Sequence, residues 1–309
     1  MLKFYLKIAL LFALIASTIF GIIYFRGDIE TNYFASIADK HRFAKTIHKP
    51  KIILAGGSNL AFGIASDSIE KAFNIPVVNL GLYAGFGLYF VLKETLSEVQ
   101  NGDIVILSPE YYLKKSGDDY SKEMAAFAYA PAHEYVDYQN YAERIEKETT
   151  FLVRYARNMI FFPNRIKSPQ INDTISDYYR KGFSEKGDLL AHLNNPPIRP
   201  LGDLVSIQND DYSTEIQLIN QFIEAVKAKK AQVYWYFPSF SQTGFETNKK
   251  ALGIFEQLIK KEVNCPKINR LTDDIYPDNC FYDTHFHLYK DCRIERTQKL
   301  IKSLKNTIH

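Results

Sequence analysis

The chain is expected to be an α/β protein: a three-layer, doubly wound parallel sheet of about five strands, with a mostly helical insertion and an N-terminal transmembrane helix. Two patterns predict the sheet. Apolar runs bounded by turn signals recur at residues 51–55, 76–80, 103–108 and 232–237, as in strands buried on both faces. Stretches of helical spacing follow at 66–73, 87–99 and 245–263, and a last one covers 293–304. Alternation of this kind places a functional site at the carboxyl ends of the strands.

The third pattern is N-terminal. After Lys3 and Lys7, residues 8–25 form an uninterrupted apolar stretch of about eighteen residues, enough for a membrane-spanning helix, and Arg26, Asp28 and Glu30 end it. Bulky residues from Phe20 to Phe25 leave no small-x-small cleavage site, which favours an anchor over a cleaved signal peptide. Lysines on the N-terminal side put that end in the cytoplasm and the main domain outside, in the periplasm or at the cell surface. The expected organisation is an anchor at 1–26, a polar connector at 27–50, and a catalytic module at 51–309 interrupted by an insertion at 111–224.

Composition is globular, with 46% hydrophobic and 24% charged residues among 309, so a sizeable core is available. A net charge of +3, with no basic run interleaved with aromatics, argues against a nucleic-acid partner. Three cysteines fit an oxidising compartment. Cys265 and Cys280 flank the segment leading into the last loop and are expected to pair, leaving Cys292 free; three reduced, buried thiols are the other possibility. The insertion is aromatic up to Phe162 and rich in proline and polar residues beyond. Its Tyr111, Tyr112, Tyr120, Tyr129, Tyr135, Tyr138 and Tyr141 form either a sugar-stacking wall or the insertion's own core.

The chemistry centres on Gly56-Gly57-Ser58-Asn59, directly after the first apolar run. Two glycines let the backbone bend sharply and present Ser58 at the sheet's carboxyl edge, although a serine there also caps a following helix. A nucleophilic serine needs a base. Of seven histidines, His285 and His287 stand out in Asp283-Thr284-His285-Phe286-His287-Leu288, a loop that opens the last helix. Asp283 is suited to accept a hydrogen bond from His287, which fixes the tautomer and turns the other ring nitrogen to the serine.

From residue 51 onward the pattern resembles the SGNH/GDSL hydrolase superfamily, whose fold is flavodoxin-like. Gly56–Asn59 corresponds to its first block, Val78–Gly85 to its second, Asp103–Glu110 to its third and Asp283–Leu288 to its last. The resemblance implies Ser58 as nucleophile, His287 as general base and acid, and Asp283 as its orienter. It further implies an oxyanion hole made by the backbone N–H of Ser58 and that of Gly85 or Ala84. Where the family's third block supplies an asparagine, this chain has Ser108-Pro109-Glu110-Tyr111; an ionised Glu110 would oppose an oxyanion, so either it turns away, or Tyr111 or Asn59 donates instead, or activity is weak. Gly57 stands where the family has an aspartate, and Asp283 precedes His287 by four residues rather than three.

Asn59, Glu110, Tyr111 and His285 are the substrate-binding candidates. Membrane-anchored branches of the superfamily are similar in their loosened motifs, which implies acyl-ester hydrolysis or O-acyl transfer on a cell-envelope polysaccharide. The implied partners are an acylated glycan or acyl donor, the membrane through the N-terminal helix, and a membrane acyl-transfer protein that delivers the donor. No cofactor is called for. Two rivals remain: a metal-dependent hydrolase using Asp283, His285 and His287 as ligands, and a catalytically degenerate glycan-binding or scaffolding subunit.

Overall fold

The computed structural model describes residues 1–24, 31–111, 113–161, 177–204, 206–208 and 210–307. The chain opens with helix α1 (Leu2–Tyr24), then α2 (Ser36–Ala44). The sheet module follows as β1 (Ile52–Gly56), α3 (Ser58–Gly63), α4 (Ser66–Phe73), β2 (Val77–Asn79), α5 (Leu88–Glu98) and β3 (Ile104–Ser108). The insertion contributes α6 (Asp119–Ala128) and α7 (Tyr141–Phe161). The chain returns through α8 (Ser213–Ala228), β4 (Gln232–Trp235), β5 (Phe240–Ser241), α9 (Gln242–Glu262), β6 (Ile275–Tyr276) and α10 (Lys290–Lys305).

The main sheet has four strands in the order β2-β1-β3-β4, all parallel, and β5 pairs with β6 in a separate two-stranded parallel pair. All four apolar runs read from the sequence are therefore strands of one sheet. Among the described residues the main sheet has four strands where about five were expected. Alternation along the strands explains the layers. Ile53, Ala55, Val105, Leu107, Val233 and Trp235 point to one face, in a core shared with α5, α8 and α9. Ile52, Leu54, Ile104, Ile106 and Tyr234 point to the other, against Leu60 of α3, Ile69 of α4, and Leu300 and Leu304 of α10. Helices thus cover both faces, which is why these strands carry apolar side chains toward both sides, with polar residues only at strand ends (Asn79, Ser108 and Gln232).

A second, aromatic core lies beside the sheet. Tyr33, Phe34 and Ile37, from the segment read as a polar connector, pack there with Phe62, Phe86, Phe90, Tyr120, Met124, Phe151 and Tyr155. Tyr111, Tyr120 and Tyr135 are buried in the cores while Tyr141 is exposed, so the tyrosines of the insertion are mostly structural. Tyr112 lies outside the described residues.

Among the described residues no helix is long and apolar enough to cross a membrane, so the anchor expected at 8–25 finds no support in the fold. Residue 25 and the charged residues expected to end the span lie outside the described residues. The cysteine pairing is corrected: Cys280 bonds to Cys292, 5.6 Å apart at Cα, and Cys265 is a free, buried thiol. The first turn of α10 brings Cys292 back to Cys280, whereas Cys265 packs into the sheet's core with Val263 and Trp235.

Candidate active site

Two close approaches explain the glycines before Ser58. A Cβ on Gly56 would sit 2.2 Å from the Ser108 carbonyl oxygen of the neighbouring strand, and one on Gly57 would sit 2.3 Å from both carboxyl oxygens of Glu110. A side chain at Gly56 would collide with the neighbouring strand's backbone, and one at Gly57 would have to displace the Glu110 carboxyl. The chain leaves β1, turns at Gly57 and begins α3 at Ser58.

The other half of the site is the loop of residues 281–289. An isolated antiparallel bridge joins Phe281 to Leu288, the Tyr282 N–H donates to the His287 carbonyl (2.7 Å), and the Cys280–Cys292 disulfide closes the base. From this loop His287 reaches the turn after β1. The Ser58 hydroxyl donates to Nε2 of His287 at 2.8 Å, and Nδ1–H of His287 donates to Oδ1 of Asp283 at 2.7 Å. Asp283 and His287 are both buried.

Asp283 has a second partner, the buried Tyr178, whose hydroxyl donates to Oδ2 and lies 3.1 Å from Nδ1 of His287. Burial pushes the Asp283 pKa up, but the charge and hydrogen bond of His287 and the Tyr178 hydroxyl outweigh it and hold the carboxyl below its usual range. Burial, followed by the Asp283 charge, drives the Tyr178 hydroxyl well above its ordinary value. Tyr178 therefore stays a donor. Its role was not legible, since no motif surrounds it.

The loop after β2 is locked from below. Asn79 donates through Nδ2 to the Leu60 carbonyl (2.9 Å) and to Asp188 (2.8 Å), and its Oδ1 accepts from the Gly81 N–H. The buried Lys40 ammonium donates to the carbonyls of Asn79, Gly81 and Gly187 at 2.6 to 2.9 Å. Ala84 and Gly85, the expected oxyanion donors, lie in a 3-10 turn (Ala84–Phe86) tied down by the Asp118 N–H on the Gly85 carbonyl. Ala84, Gly57 and Glu110 share a recess of about 20 Å³, room for a single water-sized group.

Of the substrate-binding candidates, three are spent on the fold. Asn59 is fully buried; its Nδ2 donates to the Ser108 carbonyl and to Glu110, while Arg296 donates to its carbonyl and Oδ1 at 2.9 and 3.0 Å. Tyr111 is core, its hydroxyl on the Pro238 carbonyl at 2.7 Å. His285 turns away from His287 and meets Ser241 Oγ through Nδ1 at 2.6 Å. The loop bends and turns over 283–286 instead of running extended, so the alternation that would put 283, 285 and 287 on one side is broken and His285 is separated from Asp283 and His287.

That separation also dismantles the Asp-x-His-x-His metal string. Among the described residues, the cluster with ligand-type atoms close enough to hold an ion is Glu123, His133 and Glu148. Those atoms already have protein partners: the Tyr138 hydroxyl donates to Glu123 at 2.6 Å, and Glu148 pairs with Arg144 at 2.6 Å and His133 at 3.3 Å. No protein-family model matches the chain, and no curated protein matches it in sequence.

Proposed function

We propose that this protein is a serine-dependent acyl-ester hydrolase or O-acyltransferase of SGNH type that works outside the cytoplasm on a cell-envelope polysaccharide. The observation that carries the serine chemistry is the unbroken chain from Ser58 Oγ to His287 Nε2 (2.8 Å) and from His287 Nδ1 to Asp283 (2.7 Å). These are hydrogen-bonding distances for a nucleophile, its base and the group that orients the base. The Cys280–Cys292 disulfide supports an oxidising compartment. The apolar run at 8–25 supports tethering to the membrane.

In the proposed reaction Ser58 Oγ attacks the acyl carbonyl carbon while His287 Nε2 takes the hydroxyl proton. The tetrahedral oxyanion collapses, the C–O bond to the leaving alcohol breaks, and His287 returns the proton to that oxygen. Water or a sugar hydroxyl then attacks the acyl-serine by the same steps in reverse, and which of them arrives distinguishes hydrolase from transferase.

The test is labelling by a fluorophosphonate, which reacts with an activated serine. Ser58 is the expected site, and Ser58→Ala and His287→Ala are expected to abolish labelling. Acetyl release from O-acetylated polysaccharides then tests the substrate class. A purified protein that neither labels at Ser58 nor releases acyl groups would refute the proposal.

A further inference from the structure

Glu110 stands two residues beyond the end of β3, where an ionised carboxylate would repel an oxyanion on the acyl carbon. Its surroundings disfavour the charged form. The carboxyl is 4% exposed and wedged beside the nucleophile: both oxygens lie 2.3 Å from where a Gly57 Cβ would be, and Oε1 accepts from the Asn59 N–H at 3.1 Å. It therefore touches the residues on either side of Ser58. Oε1 also accepts from Asn59 Nδ2 at 2.9 Å, and neither bond engages Oε2.

No ion pair to Glu110 forms among the described residues. The guanidinium of Arg296, one residue away in contact terms, donates instead to the carbonyl and Oδ1 of Asn59. Lys114 lines the same recess from an exposed position. The remaining groups that face Glu110 are Asn59 from α3, His287 from the last loop, Tyr33 and its own backbone N–H. Burial is the largest influence and raises the carboxyl pKa, against the Asn59 bonds and the His287 charge.

We propose that Glu110 is a neutral carboxylic acid whose Oε2–H donates to the oxyanion formed when Ser58 attacks an acyl carbon. This rests on the serine chemistry proposed above. Oε1, bound twice by Asn59, is the carbonyl oxygen, and Oε2 carries the proton. The proton is shared with the oxyanion and stays on Glu110, so His287 remains the group that moves a proton. A carboxylic acid held neutral by a dry site is an effective donor of this kind. Gly57, the residue immediately before the nucleophile, and Ala84 border the same small recess as the carboxyl.

The experiment compares wild type, Glu110→Gln and Glu110→Ala. Infrared difference spectra between wild type and Glu110→Gln at neutral pH are expected to show a protonated carboxyl stretch belonging to Glu110. Fluorophosphonate labelling of Ser58 is expected to slow on the order of a hundredfold in Glu110→Ala, and to stay within about tenfold of wild type in Glu110→Gln, whose amide keeps a donor. Wild-type labelling is expected to fall reversibly at alkaline pH as Glu110 ionises, and Glu110→Gln to lack that fall. An ionised Glu110 at neutral pH, or Glu110→Ala labelling as fast as wild type, overturns the inference while leaving the serine chemistry standing. Absence of Ser58 labelling in wild type overturns the serine chemistry and the donor role with it.

Discussion

The imidazole of His287 lies flat on the ring of Phe62, with centroids 3.8 Å apart and planes 6° from parallel. Phe62 follows Ser58 by one helical turn on α3, so the same short helix offers the hydroxyl and the surface on which its base rests. Phe62→Leu keeps most of the buried volume but removes the flat face. Ser58 labelling is expected to slow by on the order of tenfold, because a small misplacement of a reacting group is costly. Thermal melting should change little. Equal rates in the two proteins would show that the loop alone orients His287.

Tyr178 acts through Asp283 and is a positioning residue. Tyr178→Phe removes the hydroxyl that donates to Oδ2 while leaving the ring in its aromatic core. Losing a donor that holds the Asp283 carboxyl below its usual range raises the Asp283 pKa, so the carboxylate is protonated at higher pH. The acidic limb of the labelling rate against pH should shift upward, and the plateau should fall several-fold. An unmoved limb would assign Tyr178 to packing alone.

Most of the sheet was legible because strands buried on both faces must be apolar throughout, and 51–55, 76–80, 103–108 and 232–237 have no other use for such runs. The turn at Ser58 was legible because Gly56 answers to a backbone contact with Ser108 that admits no side chain and Gly57 to the Glu110 carboxyl packed against it. Asp283 and His287 could be paired on paper since both belong to one short loop. Phe62, one turn beyond the serine, was findable by helical spacing. Tyr178 was not, since it arrives from the insertion by long-range packing. Asn59, Tyr111 and His285 looked available for substrate because composition says nothing of which polar groups the fold consumes. The cysteine pairing failed for a similar reason: three thiols allow three bonds, and only the return of α10 selects Cys280 with Cys292.

The disulfide encloses the loop that carries Asp283 and His287, with a sequence separation of 12. Chain entropy for a loop of that size gives about 3 kcal/mol of stabilisation. A Cys280→Ser, Cys292→Ser double variant should lose about that much in urea unfolding, and its Ser58 labelling should fall more than its folded fraction does. Cys265→Ser, in contrast, should leave labelling intact. If the double variant labels like wild type, the Phe281–Leu288 bridge and the Tyr282–His287 backbone bond suffice to hold the loop.

A pH-dependent contribution to stability is built in far from Ser58. His41 of α2 is fully buried with Nδ1 2.6 Å from Glu98 and Nε2 3.3 Å from Glu94, both on α5. Burial alone would lower its pKa, but hydrogen bonds and charge from Glu94 and Glu98 outweigh that and raise it to about 9, above the ordinary 6.5 of a histidine. The folded state therefore holds a proton that the unfolded chain releases. The stabilisation is fully present below pH about 6.5 and is lost as pH rises through about 9, with a limiting slope of about 1.4 kcal/mol per pH unit. His41→Asn removes the titrating group. Urea unfolding of wild type and variant at several pH values measures the pH dependence that His41 and its two carboxylate partners contribute together. The stability advantage of wild type should shrink steadily between pH 6.5 and 9. A constant difference across that range would mean that His41 does not hold the extra proton in the folded state.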